Sequence, residues 1–213
     1  MLRLSLLRTS TVAAVGVIAV LTACSPGDVT TAPSAHRVSN SGASADASTG
    51  KIDVCQIDQD GIIRKLSVNA NALAAHLANG GTLAGPLTLP AEASFTASNT
   101  WDAAHAPSLA FDRDLLTNWN AGAFPTQWIE VDFGSPQRFS VISAKVNQTP
   151  TVGTTNHDVT LDGEASFSWS GETHDQEVLS HTFATMQTAR RVRITTTASP
   201  SWAGWFEIQF KGC

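Results

Sequence analysis

Between Gln127 and Phe133 apolar and polar side chains alternate without a break. Ile129, Val131 and Phe133 fall on one side, and Trp128, Glu130 and Asp132 on the other. A strand projects successive side chains to opposite faces, so this pattern suits one dry and one wet face of a sheet. Ala165, Phe167 and Trp169 alternate in the same way with Ser166, Ser168 and Ser170, and Phe206, Ile208 and Phe210 with Glu207, Gln209 and Lys211. Gly134-Ser135-Pro136 and Asp162-Gly163-Glu164 read as turns. From Ala91 onward no long helical period interrupts these short runs, which predicts an all-β sandwich or barrel. All six tryptophans stand at or after position 101, so the core belongs to that part of the chain.

The N-terminus is built differently. Arg3 and Arg8 precede a short, mostly apolar run from Ser10 to Leu21. That run falls short of the roughly 20 apolar residues of a membrane span and fits a secretory signal over residues 1–23. Leu21-Thr22-Ala23-Cys24 resembles a bacterial lipobox, which implies acylation of the Cys24 thiol and cleavage just before it. Several acyl chains would anchor the chain stably to a membrane. By resemblance to outer-membrane lipoproteins, Ser25 after the cysteine implies the outer membrane of the bacterial envelope. Residues 24–50 are nearly all small or polar and cannot bury enough surface to offset ordering entropy, so they predict a disordered tether. Over residues 51–90, two strand-like runs flank Asp58-Gln59-Asp60-Gly61 and predict a hairpin. A short helix follows from about Ala70 to Ala78, N-capped by Asn69 or Asn71 and stopped by Asn79-Gly80-Gly81.

Charge and motif content narrow the function. The net charge is −5, and removing Arg3 and Arg8 with the signal makes the rest more acidic. The nearest thing to a basic run, Arg190 to Arg193, fits a strand facing solvent, so nucleic acid is not an expected partner. The three cysteines show no metal-type spacing. There is no nucleophile elbow, zinc-protease helix motif or phosphate loop. Glu164, Glu172 and Glu177 lie in turn-rich sequence where carboxylates are usually solvated, and the chain is expected to be non-catalytic.

Two stretches carry a family resemblance. Ser108 to Trp119, followed by Gln127-Trp128-Ile129-Glu130-Val131-Asp132-Phe133-Gly134, is similar to the opening half of a coagulation factor 5/8 type C (discoidin) domain. Ala189 to Ile194 and Ser201 to Ile208 resemble its closing half. The resemblance covers about residues 91–211 and implies a jelly-roll β-sandwich with the galactose-binding-like fold, shared with carbohydrate-binding module family 32. It implies core places for Trp119 and Trp128. It also implies a structural calcium ion held by carboxylates of Asp112 and Glu207, by Thr117, and by backbone carbonyls of Leu109, Asp114 and Phe206; hard oxygen ligands suit that ion. The plainer reading makes Asp112 and Asp114 turn formers.

Family members bind ligands at the loops on one end of the sandwich. A sugar there needs an aromatic face for its C–H side and polar groups for its hydroxyls. The candidates are Trp101 and His105 in a first loop, Asn156 and His157 in a middle loop, and Trp202 in the last. Packing is the alternative role for Trp101 and Trp202, and backbone hydrogen bonding for His157. The family's ends often lie close, and in an exported chain Cys55 and Cys213 are expected to form a disulfide stapling the hairpin module to the C-terminus. Two functions follow as expectations: an envelope lipoprotein that binds a glycan or other cell-surface ligand, or a structural or protein-interaction lipoprotein without sugar binding.

Overall fold

The computed structural model of the chain describes residues 45–46 and 50–213. The expected export signal, Cys24 and nearly all of the expected tether lie outside the described residues. No helix among the described residues is long and apolar enough to cross a membrane.

The N-terminal module is a small sheet with one helix. β2 (Lys51–Ile57) and β3 (Ile63–Asn69) pair antiparallel along their whole length. The Asp58 carboxylate closes their turn by accepting from the N–H groups of Asp60 and Ile62, and it pairs with Arg64. On the other edge of β2, β1 (Ala45–Asp46) pairs with Lys51 and Ile52, and β4 (Thr82–Leu83) with Val54 and Cys55. Composition assigned Ala45 and Asp46 to the tether, but strand pairing is a backbone interaction and needs no large side chains. Helix α1 (Ala70–Ala78) begins after an extended Asn69 and contains no buried residue. Its His76 Nδ1 lies 2.7 Å from Gln56 Oε1, which ties it to β2.

The rest of the chain is a β-sandwich built on two very long strands, β7 (Gln127–Val146) and β10 (Val178–Ala198). The remaining strands are β5 (Ser94–Ala97), β6 (Trp119–Asn120), β8 (Val152–Leu161), β9 (Glu164–His174) and β11 (Gly204–Lys211). Their order is β6-β11-β7-β10-β8-β9, with β5 on β7. The register divides β7 and β10 between two layers. Ile129–Asp132 of β7 face β5, whereas Val141–Val146 face β11. The expected turn at Gly134-Ser135-Pro136 is therefore a bend within β7. Gly134 has φ +78, and an added Cβ would lie 2.3 Å from Glu92 Cγ. The other expected turn is a true hairpin: Asp162 and Gly163 both have positive φ between β8 and β9, the geometry of a two-residue type I′ connection.

The alternation in β7 holds: Ile129, Val131 and Phe133 are buried, and Phe133 meets Phe210 edge-on at 5.0 Å between ring centres. In β11 the pattern breaks, because the register with β7 shifts between Trp205 and Glu207. This bulge turns Trp205 into the core, while Phe206 lies under the Lys145 ammonium, 5.2 Å from its ring centre. Trp119 is fully buried as expected. Trp128 is not a core residue: it is half-buried on the outer face beneath the Arg193 guanidinium, 3.9 Å away. The module is fastened to this sandwich at its C-terminus. Cys55 and Cys213 form a disulfide with Cα atoms 5.8 Å apart, and Leu87 donates its N–H to the Phe210 carbonyl.

Candidate functional site

At one end of the sandwich several loops close on each other. Trp101 donates its N–H to the Asn120 carbonyl, Ala121 to that of Ala203, and Ala203 to that of Ala123. Thr149 donates to the Ser201 hydroxyl at 3.0 Å. Between these loops lies a pocket of about 270 Å³ lined by Asn120, Phe124, Asn147, Thr149, Ser201 and Trp202. Trp202 meets Trp101 edge-on at 5.6 Å, and Trp101 is 55% exposed. His105 stacks on Trp101 at 4.4 Å and binds the Asp102 carboxylate through Nδ1 at 2.6 Å. That hydrogen bond holds the Asp102 carboxyl below the usual carboxylate range. Three of the five expected ligand residues, Trp101, His105 and Trp202, thus come together.

The pocket keeps polar capacity free. Asn120 uses its Oδ1 on the Gly122 N–H, and Asn147 uses one amide hydrogen on Asn118 Oδ1. Among the contacts of the described residues, this leaves the Asn120 amide hydrogens and the Asn147 Oδ1 unspent. The Ser201 hydroxyl accepts from Thr149 and keeps its own proton. Asn120, Phe124, Asn147, Thr149 and Ser201 were not picked out by sequence. They come from three separate segments and carry no shared motif; the exposed Phe124, bounded by Gly122 and Pro125, was the one usable signal.

Asn156 and His157 do not belong to this loop set. They lie within strand β8, paired with β9 and β10. Asn156 Nδ2 is spent on Asp158 and Thr197. His157 is 4% exposed, with its ring 4.6 Å from Trp205 and Nδ1 3.0 Å from Thr196 Oγ1. Burial pushes this imidazole down to about 4, with Asp158 opposing. A neutral histidine packed on tryptophan is a core residue, not the loop ligand that the sequence predicts.

The expected cation loop follows a short 3₁₀ turn at Pro107–Ala110. The Thr117 hydroxyl lies within hydrogen-bond distance of four oxygens: both of Asp112 (3.0 and 2.8 Å), the Asp114 carbonyl (2.9 Å) and the Leu109 carbonyl (3.3 Å). One hydroxyl proton cannot serve all four. Glu207, 3% exposed, accepts from the Arg113 N–H at 3.0 Å. Arg113 takes a left-handed φ of +67, unusual for a side chain of its size, and its guanidinium reaches the Leu87 carbonyl. Burial pushes Glu207 up to about 7, Asp112 and Asp114 adding to the rise against the Arg113 bond. Phe206 adjoins Glu207 at the bulge. Among the described residues no three His, Cys, Asp or Glu side chains gather round one point, so capacity for a cation rests on backbone and hydroxyl oxygens as well. An all-oxygen set short of protons fits a hard cation.

A bent two-layer sandwich with an aromatic, amide-lined pocket at its loop end defines a β-sandwich of the discoidin kind. A family description, F5/8 type C domain, matches residues 94–208, more than half of the chain, and the chain belongs to that family. Among solved structures it is similar to the family 32 carbohydrate-binding module of C. perfringens NanJ in complex with galactose, with 17% identity and a TM-score of 0.50 over 57% of this chain and 96% of the other. That likeness shows the fold. The carbohydrate-binding module of AlyQ in complex with 4,5-unsaturated mannuronic acid is 25% identical, with a TM-score of 0.47 over 56% and 95%. Chitosan-binding module 2 of a Paenibacillus sp. IK-5 chitosanase/glucanase, in complex with chitotriose, is 22% identical, with a TM-score of 0.45 over 59% and 100%. No curated protein matches the chain.

Proposed function

We propose that this chain is a bacterial envelope lipoprotein, acylated at Cys24, whose sandwich binds a glycan without catalysing a reaction on it. The observation that carries the reading is the exposed Trp101–Trp202 pair beside a pocket whose amide and hydroxyl groups keep hydrogen bonds to spare. The apolar face of a sugar ring would lie on indole or on Phe124, and its hydroxyls would meet Asn120, Asn147 and Ser201. Family membership and the galactose complex of the similar NanJ module support the same reading.

Calcium is part of the proposal as a structural ion. Leu109, Asp112, Asp114, Thr117, Phe206 and Glu207 would hold it, and it would neutralise the Asp112 carboxylate, which now shares one hydroxyl with two backbone carbonyls. At a hundred times its dissociation constant such an ion stabilises the fold by about 2.7 kcal/mol. Calcium should therefore raise the melting temperature of the wild type and leave Thr117→Val unmoved. Equal responses from both would remove the ion from the account. Calorimetry with galactose and other neutral sugars tests the pocket: Trp202→Ala should abolish the heat of binding, and unchanged binding would refute the assignment.

A protein-docking role has one observation of its own. The hairpin–helix module leaves Ile57, Ile62, Leu66 and Leu77 between 37% and 52% exposed.

A further inference from the structure

The outer face of the layer formed by β11, β7 and the start of β10 carries a groove of about 320 Å³ that shares no lining residue with the loop-end pocket. Its length follows the strands. Lys145 stands opposite Glu207, Ser143 opposite Gln209, and Val141 opposite Lys211. At about 3.3 Å per residue, four positions separate the two lysine rows by about 13 Å. Leu115 and Val178, 51% and 59% exposed, add apolar surface to the lining, Val178 standing directly opposite Lys145 on β10.

The lysines are free. Neither is in an ion pair among the described residues. Lys145 has a glutamate as its cross-strand neighbour, the usual partner for such a residue. The Glu207 carboxylate instead faces the Arg113 N–H, and the Lys145 ammonium rests over the Phe206 ring. Glu207, the one acid in the lining, is 3% exposed. On a chain of net charge −5, two unpaired cations in one groove select for an anion.

We propose that this groove is a second binding site, for an acidic glycan strand whose carboxylates meet Lys145 and Lys211 while its ring faces lie on Leu115 and Val178. Spacing favours a chain with repeated charges over a single anion. A peptide is disfavoured because the floor strand β7 is already paired on both edges, by β11 and β10, leaving none of its backbone for strand addition. The inference does not depend on the loop-end pocket binding sugar.

The test is titration of the full chain with a short oligogalacturonate, at low and at high salt. Binding should weaken with salt and fall about tenfold when Lys145→Ala and Lys211→Ala are combined, the sum of two exposed ion pairs. It should be unchanged in Trp202→Ala. Amide shifts in the NMR spectrum of the wild type should cluster on β7 and β11, which locates the site without any substitution. Absence of binding, indifference to the lysines, or loss in Trp202→Ala alone would overturn it. So would equal competition by poly-glutamate, which would give the groove to acidic peptides. Neutral-sugar binding that needs Trp202, without oligogalacturonate binding, would sink this inference and keep the proposed function.

Discussion

In the sandwich, Trp119, Phe133, Phe139, Trp205 and Phe210 are each at most 1% exposed, whereas helix α1 of the hairpin–helix module buries no residue and leaves Leu77 40% exposed. The two regions are joined, and they are stabilised by different means. The sandwich has an aromatic core in which Phe210 touches both Phe133 and Phe139. The module has Val54, Cys55 and Ala84 buried, and beyond them a disulfide and a few backbone bonds to the C-terminal segment. A unit of this size seldom supplies enough core by itself and needs a staple. The segment after β11 that closes the sandwich is thus also the module's foundation.

Substitutions can break that contrast. The largest effect belongs to the sandwich: Phe210→Ala should cost about 3–5 kcal/mol, read as a fall in the denaturant midpoint with the slope unchanged. Reducing the Cys55–Cys213 bridge should cost about 2–4 kcal/mol. Hydrogen exchange should show that loss concentrated in residues 51–83, with β7 and β10 still protected; uniform loss would mean the module is an integral part of the core. Acid acts on the sandwich through His157. The unfolded imidazole takes a proton below its ordinary 6.5, while the folded one resists until about 4. The contribution of His157 is therefore complete above about pH 6.5 and falls as pH drops toward 4, by at most about 3 kcal/mol, while Glu207, raised to about 7, contributes in the opposite sense over the same range. The urea midpoint of the wild type relative to that of His157→Asn should fall between about pH 7 and about pH 4.5, a difference in which the Glu207 contribution cancels. The smallest effect is Leu77→Ala, at about 1 kcal/mol or less, because that side chain is already partly wet.

Much of the sandwich was legible because buried strands repeat every two residues. Gln127–Phe133 follows that rule to the residue, and the hairpin at Asp162-Gly163 follows from turn chemistry. Exceptions arose where the sheet is irregular. The bulge after Trp205 reversed the expected facing of Phe206, and a bend replaced the turn at Gly134. Neither changes composition enough to show in sequence. The site was half legible. Trp101 and Trp202 stood out as aromatics in loops, but Asn120, Asn147 and Ser201 converge only through the closing of separate loops. His157 was misplaced because a polar residue among threonines reads as a loop, while β8 buries it against Trp205.

The central claim is that the loop-end pocket reads sugar through its tryptophans. A glycan array probed with the wild-type chain and with Trp101→Ala/Trp202→Ala, calcium present, tests it most directly. The account predicts a restricted set of wild-type hits that vanish in the double variant while its melting temperature is kept. An array blank for the wild type, or hits that survive loss of both indoles, would contradict it.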